Sequence, residues 1–184
     1  MRRIVMLHPR LVILGYSGAA MFLRGASAAD LAAIISIHGR REFGLQAPDV
    51  TRRLDLTFDD VEVPKPGDAM AMQVAMGRRQ WAEHNGLIEE PPTRADAKAI
   101  VDFAHKIKAI DGVLLCHCGG GMSRAPAAAL ICTAVWRGPG AEAECAAEVR
   151  RLRRGAVPHV GLVRFADELM GRGGALIGSI GSGA

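Results

Sequence analysis

The junction between Val113 and Trp136 constrains the chain more than any other stretch. Val113-Leu114-Leu115 is a short, wholly apolar run of the kind that forms a strand buried on both faces of a sheet. It begins directly after Asp111-Gly112, which ends the preceding segment, and it should lie centrally. Nine residues follow, Cys116-His117-Cys118-Gly119-Gly120-Gly121-Met122-Ser123-Arg124, and then an Ala-rich run from Ala125 to Trp136 that reads as a helix. A strand that feeds a glycine loop and then a helix brings backbone N–H groups and the positive end of a helix dipole to one place. Such a place attracts anions.

The rest of the chain supplies the frame for that junction. Leu11 to Leu14, Ala33 to Ile37 and Arg53 to Phe58 read as strands, the last by its alternation of Leu54, Leu56 and Phe58 with charged or polar residues. Ser27-Ala28-Ala29-Asp30 reads as a helix start, with Ser27 capping. Pro64-Lys65-Pro66-Gly67 forces a loop, and Asp68 to Asn85 reads as a methionine-bearing helix within an insertion at about 67–92. Met70, Met72 and Met76 are expected to pack it, since methionine fills irregular cores, with a substrate lid bordering the site as the alternative. A further helix should start at the cap Thr93 and present Ile100, Phe103, Ala104 and Ile107 on one face. Helices at about 141–154 and 161–171 follow, and the Gly/Ser-rich tail from about 178 is expected to fray. Strands alternating with helices imply an α/β domain with a central, mainly parallel sheet flanked by helices. With 184 residues and 49% hydrophobic content, one domain over 1–184 buries a sufficient core.

Bulk properties remove several function classes. The formal charge of +4 and a pI near 9.2 favour anionic ligands only mildly. Aromatic residues make up 4%, and no basic run is interleaved with stacking rings, so nucleic acid is not an expected partner. No apolar run approaches the roughly 18 residues that a membrane span needs, so no membrane association is expected. Arg2, Arg3 and Ala26-Ser27-Ala28 imitate a secretory leader, but His8, Pro9, Arg10 and Arg24 interrupt it. Four cysteines in a chain of this length do not suggest a disulfide framework, and a cytoplasmic location is expected. Cys116, Cys132 and Cys145 read as small buried hydrophobes, and no second Cys/His pair at zinc spacing follows Cys116-His117-Cys118, so no metal is expected. His38 and His159 read as structural.

In the loop itself, the features that bind phosphate also favour an anionic sulfur, which makes Cys118 the candidate nucleophile. Gly119, Gly120 and Gly121, with the backbone of Met122 and Ser123, form the candidate phosphate cradle, because glycine lets backbone donors approach closely. Arg124 can fork two phosphate oxygens, which a lysine cannot do. The string His117-Cys118-x-x-Gly121-x-x-Arg124 resembles the active-site loop of the protein tyrosine and dual-specificity phosphatases, including the five residues between Cys and Arg. The resemblance runs from about Leu11 to Gly174. Leu114-Leu115-Cys116-His117 and Pro158-His159 look like a small bacterial branch of these cysteine phosphatases.

That resemblance implies a protein-tyrosine-phosphatase-like fold of dual-specificity size and a phosphomonoesterase that needs no cofactor. The implied substrates are phosphorylated proteins or small aryl phosphates, and phosphate or sulfate is expected to occupy the loop. It also implies a general acid on a separate mobile loop, for which Asp60 is preferred over its neighbour Asp59, and a role for His117 in orienting the cradle. One position departs from the pattern: Ala125 stands where the family carries a Ser or Thr whose hydroxyl helps the thiolate leave. Ser123, on the other side of Arg124, is a candidate substitute. A phosphate-binding pseudophosphatase therefore stands as the alternative. A sulfurtransferase would need a four-residue loop, and an arsenate reductase would need resolving cysteines in reach.

Overall fold

The computed structural model describes residues 8–26, 30–42, 44–45, 52–87 and 89–181. Its elements in chain order are β1 (Arg10–Gly15), α1 (Tyr16–Gly25), β2 (Leu31–His38), β3 (Arg53–Thr57), α2 (Ala69–His84), α3 (Arg94–Ile107), β4 (Val113–Cys118), α4 (Arg124–Arg137), α5 (Glu142–Leu152), α6 (Val160–Leu169) and α7 (Ala175–Gly181). The four strands form one parallel sheet in the order β1-β4-β2-β3. All six residues of β4 are buried, as are the first seven of β2, which fits their mainly apolar sequences and their two internal positions. The less buried β1 and β3 form the edges.

Strand alternation sorts β4 between two unequal layers. Leu114, Cys116 and Cys118 join the larger core, where Ile35, Ile37 and Phe58 meet Ile100 and Ile107 of α3, Leu130 and Ile131 of α4, and Leu162 of α6. Val113 and Leu115 face the smaller core, closed by Ala19 and Leu23 of α1 with Ile34 and Leu45. Helix α4 is buried from Arg124 to Trp136, which explains a sequence apolar on every side. Pro126 is tolerated because it falls in the first turn, where its missing N–H has no helical partner to lose. The capping box expected at Thr93 forms, with Asp96 accepting from the Thr93 backbone and Thr93 from that of Asp96.

Several expectations need correction. The helix start expected at Ser27-Ala28-Ala29-Asp30 falls mostly outside the described residues; Asp30, in a 3-10 turn, leads directly into β2. The helix of this region is α1, directly after β1, in the stretch that imitated a leader. The tail expected to fray from about 178 is helical as far as Gly181. The buried Asp167 carboxylate accepts from the N–H groups of Gly174, Leu176 and Ile177 and so docks α7. In α2 only Ala82 is buried, while Met70, Met72 and Met76 are exposed, so these methionines do not fill a core. Among the described residues no helix is long and apolar enough to cross a membrane.

Candidate active site

The order β1-β4-β2 brings the ends of β1 and β2 to either side of the loop that leaves β4. Cys118 is the last residue of β4 and Arg124 the first of α4. Between them the chain turns at Gly121, whose φ of 69° suits glycine. The turn presses against the β1–α1 junction. A Cβ on Gly121 would lie 2.4 Å from the Gly15 nitrogen, and one on Gly15 would lie 2.9 Å from the Gly120 oxygen. Glycine on both sides is therefore a condition of the contact.

Every loop carbonyl from 119 to 123 is held from outside. The Gly119 oxygen accepts from the Tyr16 backbone at 2.9 Å. Those of Gly120 and Gly121 accept from the Arg153 guanidinium at 3.1 and 3.2 Å. The Met122 oxygen accepts from Val157 N at 2.8 Å and the Ser123 oxygen from His159 N at 3.3 Å. In a trans peptide the N–H points opposite to the C=O of the preceding residue, so the N–H groups of Gly120 through Arg124 turn the other way, into the loop. That of Gly121 reaches Cys118 Sγ at 3.2 Å. Sulfur and the candidate anion cradle thus face the same side of the loop.

The buried Arg124 is gripped along one side of its guanidinium. Nη1 donates to the Phe58 oxygen at 3.0 Å and Nη2 to Glu42 Oε1 at 2.9 Å, while the buried Nε has no partner among the described residues. Burial works against the charge, but the Glu42 hydrogen bond and its charge outweigh it and hold the guanidinium more firmly protonated than usual. Glu42 is fixed in turn by Gly39 N, at 2.7 Å from Oε2. Its partial burial pushes the carboxyl up, but Arg124 and the Gly39 N–H bring it below the ordinary glutamate value. A Cβ on Gly119 would come within 2.4 Å of Glu42 Oε1, so this carboxylate rests against the residue that follows Cys118. No sequence pattern marks Glu42; only the strand order brings the turn after β2 to the loop.

The neighbouring aspartates part company. Asp60 Oδ1 accepts from Ser123 Oγ at 2.7 Å and lies 4.0 Å from His159 Nε2. Asp59 turns away, accepting from Glu90 N at 2.8 Å, while its own N–H donates to the Glu90 oxygen. His159 caps α6 through Nδ1, which accepts from Leu162 N, and its Nε2 donates to the Val61 oxygen at 2.9 Å. Ser123 is thus committed to Asp60, and Cys118 Sγ has the Gly121 N–H as its donor.

The ring of His117 makes no hydrogen bond to the loop: neither nitrogen has a partner among the described residues, and strand alternation sends the side chain to the sheet face opposite that of Cys118. Burial, then the charge of Arg53, lowers its pKa to about 4, so the imidazole is neutral at neutral pH. Cys116, Cys132 and Cys145 are free, buried thiols whose pKa values burial pushes up.

No protein-family model matches the sequence, and no curated protein matches it. In three dimensions the chain is similar to the crystal structure of human DUSP28, with a TM-score of 0.52 at 17% identity over 89% of this chain and 92% of that one. The fold is that of a dual-specificity phosphatase. At this identity the likeness concerns the fold alone. Within this phosphatase-like fold, Cys118, the glycine loop, Arg124 and Asp60 converge at the carboxyl end of an internal strand, the usual place for ligands in open parallel sheets.

Proposed function

We propose that the chain is a cysteine-dependent phosphomonoesterase acting on phosphotyrosine or similar aryl phosphates through a phospho-cysteine intermediate. The observation that carries the reading is the ring of outward-held carbonyls, which leaves five inward N–H donors beside Cys118 Sγ and the free Nε edge of Arg124. In the first step the Cys118 thiolate attacks phosphorus, the P–O bond to the leaving group breaks, and Asp60 gives its proton to the departing oxygen. In the second, water attacks phosphorus, the S–P bond breaks to return the thiolate, and Asp60 takes the proton back. The inward donors and Arg124 stabilise the charge of the equatorial oxygens in both steps. Asp60 is preferred to Asp59 as the acid because Asp60 faces the loop through Ser123, whereas Asp59 is engaged with Glu90.

A phosphate-binding pseudophosphatase is the second reading, favoured by one observation: Ala125 has no hydroxyl, and the nearby Ser123 gives its own to Asp60. Steady-state hydrolysis of an aryl phosphate, followed by acid-quench trapping of phosphate on Cys118, separates the two. The enzyme yields a trapped phospho-cysteine, and a burst ahead of a slow steady rate if thiolate departure is impaired; Ala125→Ser then raises the steady rate with the burst unchanged. Absence of both turnover and trapped intermediate, with phosphate still bound, establishes the pseudophosphatase.

A further inference from the structure

We infer that the groove between α2 and the segment after Asp60 holds the chain of a protein substrate beside its phosphorylated residue, and that it selects apolar and basic side chains over acidic ones; the inference rests on the phosphatase reading of the loop. The groove has a volume of about 660 Å³, within the range of about 300–1,000 Å³ typical of ligand pockets. One wall is Val61, Glu62 and Pro64, which follow the candidate acid in the chain. Hydrogen bonds from His159 to the Val61 oxygen and from Arg164 to the Pro64 oxygen fix that wall to α6. The opposite wall is α2, whose Ala71, Ala75 and Ala82 share one helix face and are too short to close the gap. Met72 and Met76 line the groove as exposed, flexible thioether chains, which adapt to apolar side chains of different shape.

Length, position and charge together define the occupant. The lining positions of α2 run from Ala71 to Glu83, about 18 Å at about 1.5 Å per residue, which about five extended residues span. The groove also starts at the site. Its Glu90 exchanges two backbone-directed hydrogen bonds with Asp59, of 2.6 and 2.8 Å, and its Val61 is the residue after Asp60. A chain that leaves the loop past Asp60 therefore meets the groove directly. Of the charged groups that line it, Arg78 pairs with Glu89 at 3.0 Å, Arg79 with Glu83 at 2.9 Å, and Glu90 with Arg40. Among the described residues Glu62 alone of this lining has no ion-pair partner, and it is exposed two positions from Asp60. The groove thus offers apolar surface with one uncompensated negative charge near the phosphoryl site, which favours a cation there and disfavours an acidic chain.

Binding to a Cys118→Ser protein, measured by calorimetry, tests the groove without requiring turnover. Three ligands are titrated: inorganic phosphate, a phosphotyrosine peptide with lysine, leucine and valine on both flanks, and one with glutamate and serine there. The same titrations follow in versions also carrying Ala75→Glu or Glu62→Lys. Ala75 is half-buried on a helix that glutamate suits, and Glu62 is exposed, so neither change threatens folding. The parent is expected to bind the apolar, basic peptide about tenfold more tightly than the acidic one, a preference that runs against the formal charge of +4. Ala75→Glu should weaken the apolar, basic peptide about tenfold, and Glu62→Lys should narrow the preference, with inorganic phosphate changed less than about twofold in both. Equal affinity for the two peptides in the parent, or a preference that survives both substitutions, overturns the groove while phosphate binding leaves the loop assignment intact. A dimer in sedimentation that Ala75→Glu dissociates assigns the groove to a second copy of the chain and also overturns the inference. Failure of the parent to bind inorganic phosphate at all overturns the phosphatase reading and the substrate groove with it.

Discussion

At the scale of single residues, the site is built from opposed demands on one guanidinium. Arg124 must be buried to sit under the loop, yet it must stay charged and keep one edge open. Glu42 and the Phe58 carbonyl satisfy the other edge. Glu42→Gln is expected to weaken catalysis about tenfold or more, because a neutral amide orients the guanidinium less firmly. The same change should tighten inorganic phosphate, since it removes a carboxylate beside Gly119. Opposite movements of kcat and phosphate affinity check this; parallel losses would make Glu42 a plain structural residue. For the aspartates, Asp60→Ala is expected to slow a substrate with a poor leaving group by about 10²-fold or more and to spare one with a good leaving group. Asp59→Ala should instead lower stability without that leaving-group dependence. His117 contributes a pH dependence of known sign. Its folded pKa of about 4 lies below the ordinary histidine value, so the unfolded chain binds the extra proton first. Its contribution is complete above about pH 6.5 and is lost as the pH falls toward 4, so the gap in melting temperature between the wild type and His117→Gln should shrink over that interval.

At the scale of elements, the loop's shape is enforced by the close approach of two backbones. The Cys118–Arg124 turn and the β1–α1 junction meet through Gly121 and Gly15 with no room for a Cβ on either side. Gly121→Ala combines a positive φ with a contact of 2.4 Å against backbone, so it must displace one of the two segments. It is expected to cost about 1–3 kcal/mol of stability and to abolish phosphate binding, because the inward donors move with the loop. Chemical denaturation and phosphate titration of that one variant check both parts. A variant that unfolds more easily yet binds phosphate normally would show that the cradle does not depend on this contact. The segment after Asp60 is likewise strapped along α6, with His159 donating to the Val61 oxygen and Arg164 to those of Val63 and Pro64.

At the scale of the whole molecule, the sequence was most legible where one physical demand governed a stretch. The apolar run Val113–Leu115 marked β4 as internal, because a parallel strand covered on both faces has no polar side to display. The Thr93 cap and the strand, glycine loop and helix from Val113 to Trp136 were equally plain, since each is a local pattern with a definite geometry. What stayed hidden depends on strand order. Glu42, Tyr16 and Arg153 sit in unremarkable sequence and reach the loop only because β1 and β2 flank β4 and the turn after α5 returns to it. Helix α1 was concealed by small residues and glycines that imitate a leader, and α2 by methionines that suggest a core they do not fill.

The five outward-held carbonyls make the proposed anion site a junction between distant parts of the chain. Their donors come from Tyr16 near one end and from Arg153, Val157 and His159 near the other, so the cradle exists only when both terminal thirds have docked on the central loop. An anion seated there acts as a cross-link made of hydrogen bonds, with no affinity for an unfolded chain in which the donors are scattered. Phosphate at about 100 times its Kd should therefore add about 2.7 kcal/mol to global stability. The protection should extend in hydrogen exchange to amides of β1 and α6 far from the phosphate itself. A chain cut after Leu152 would keep Cys118, the three glycines and Arg124, yet lose this gain, because the carbonyls of Gly120, Gly121 and Met122 would have lost their donors and that of Ser123 would keep only Ala127 N.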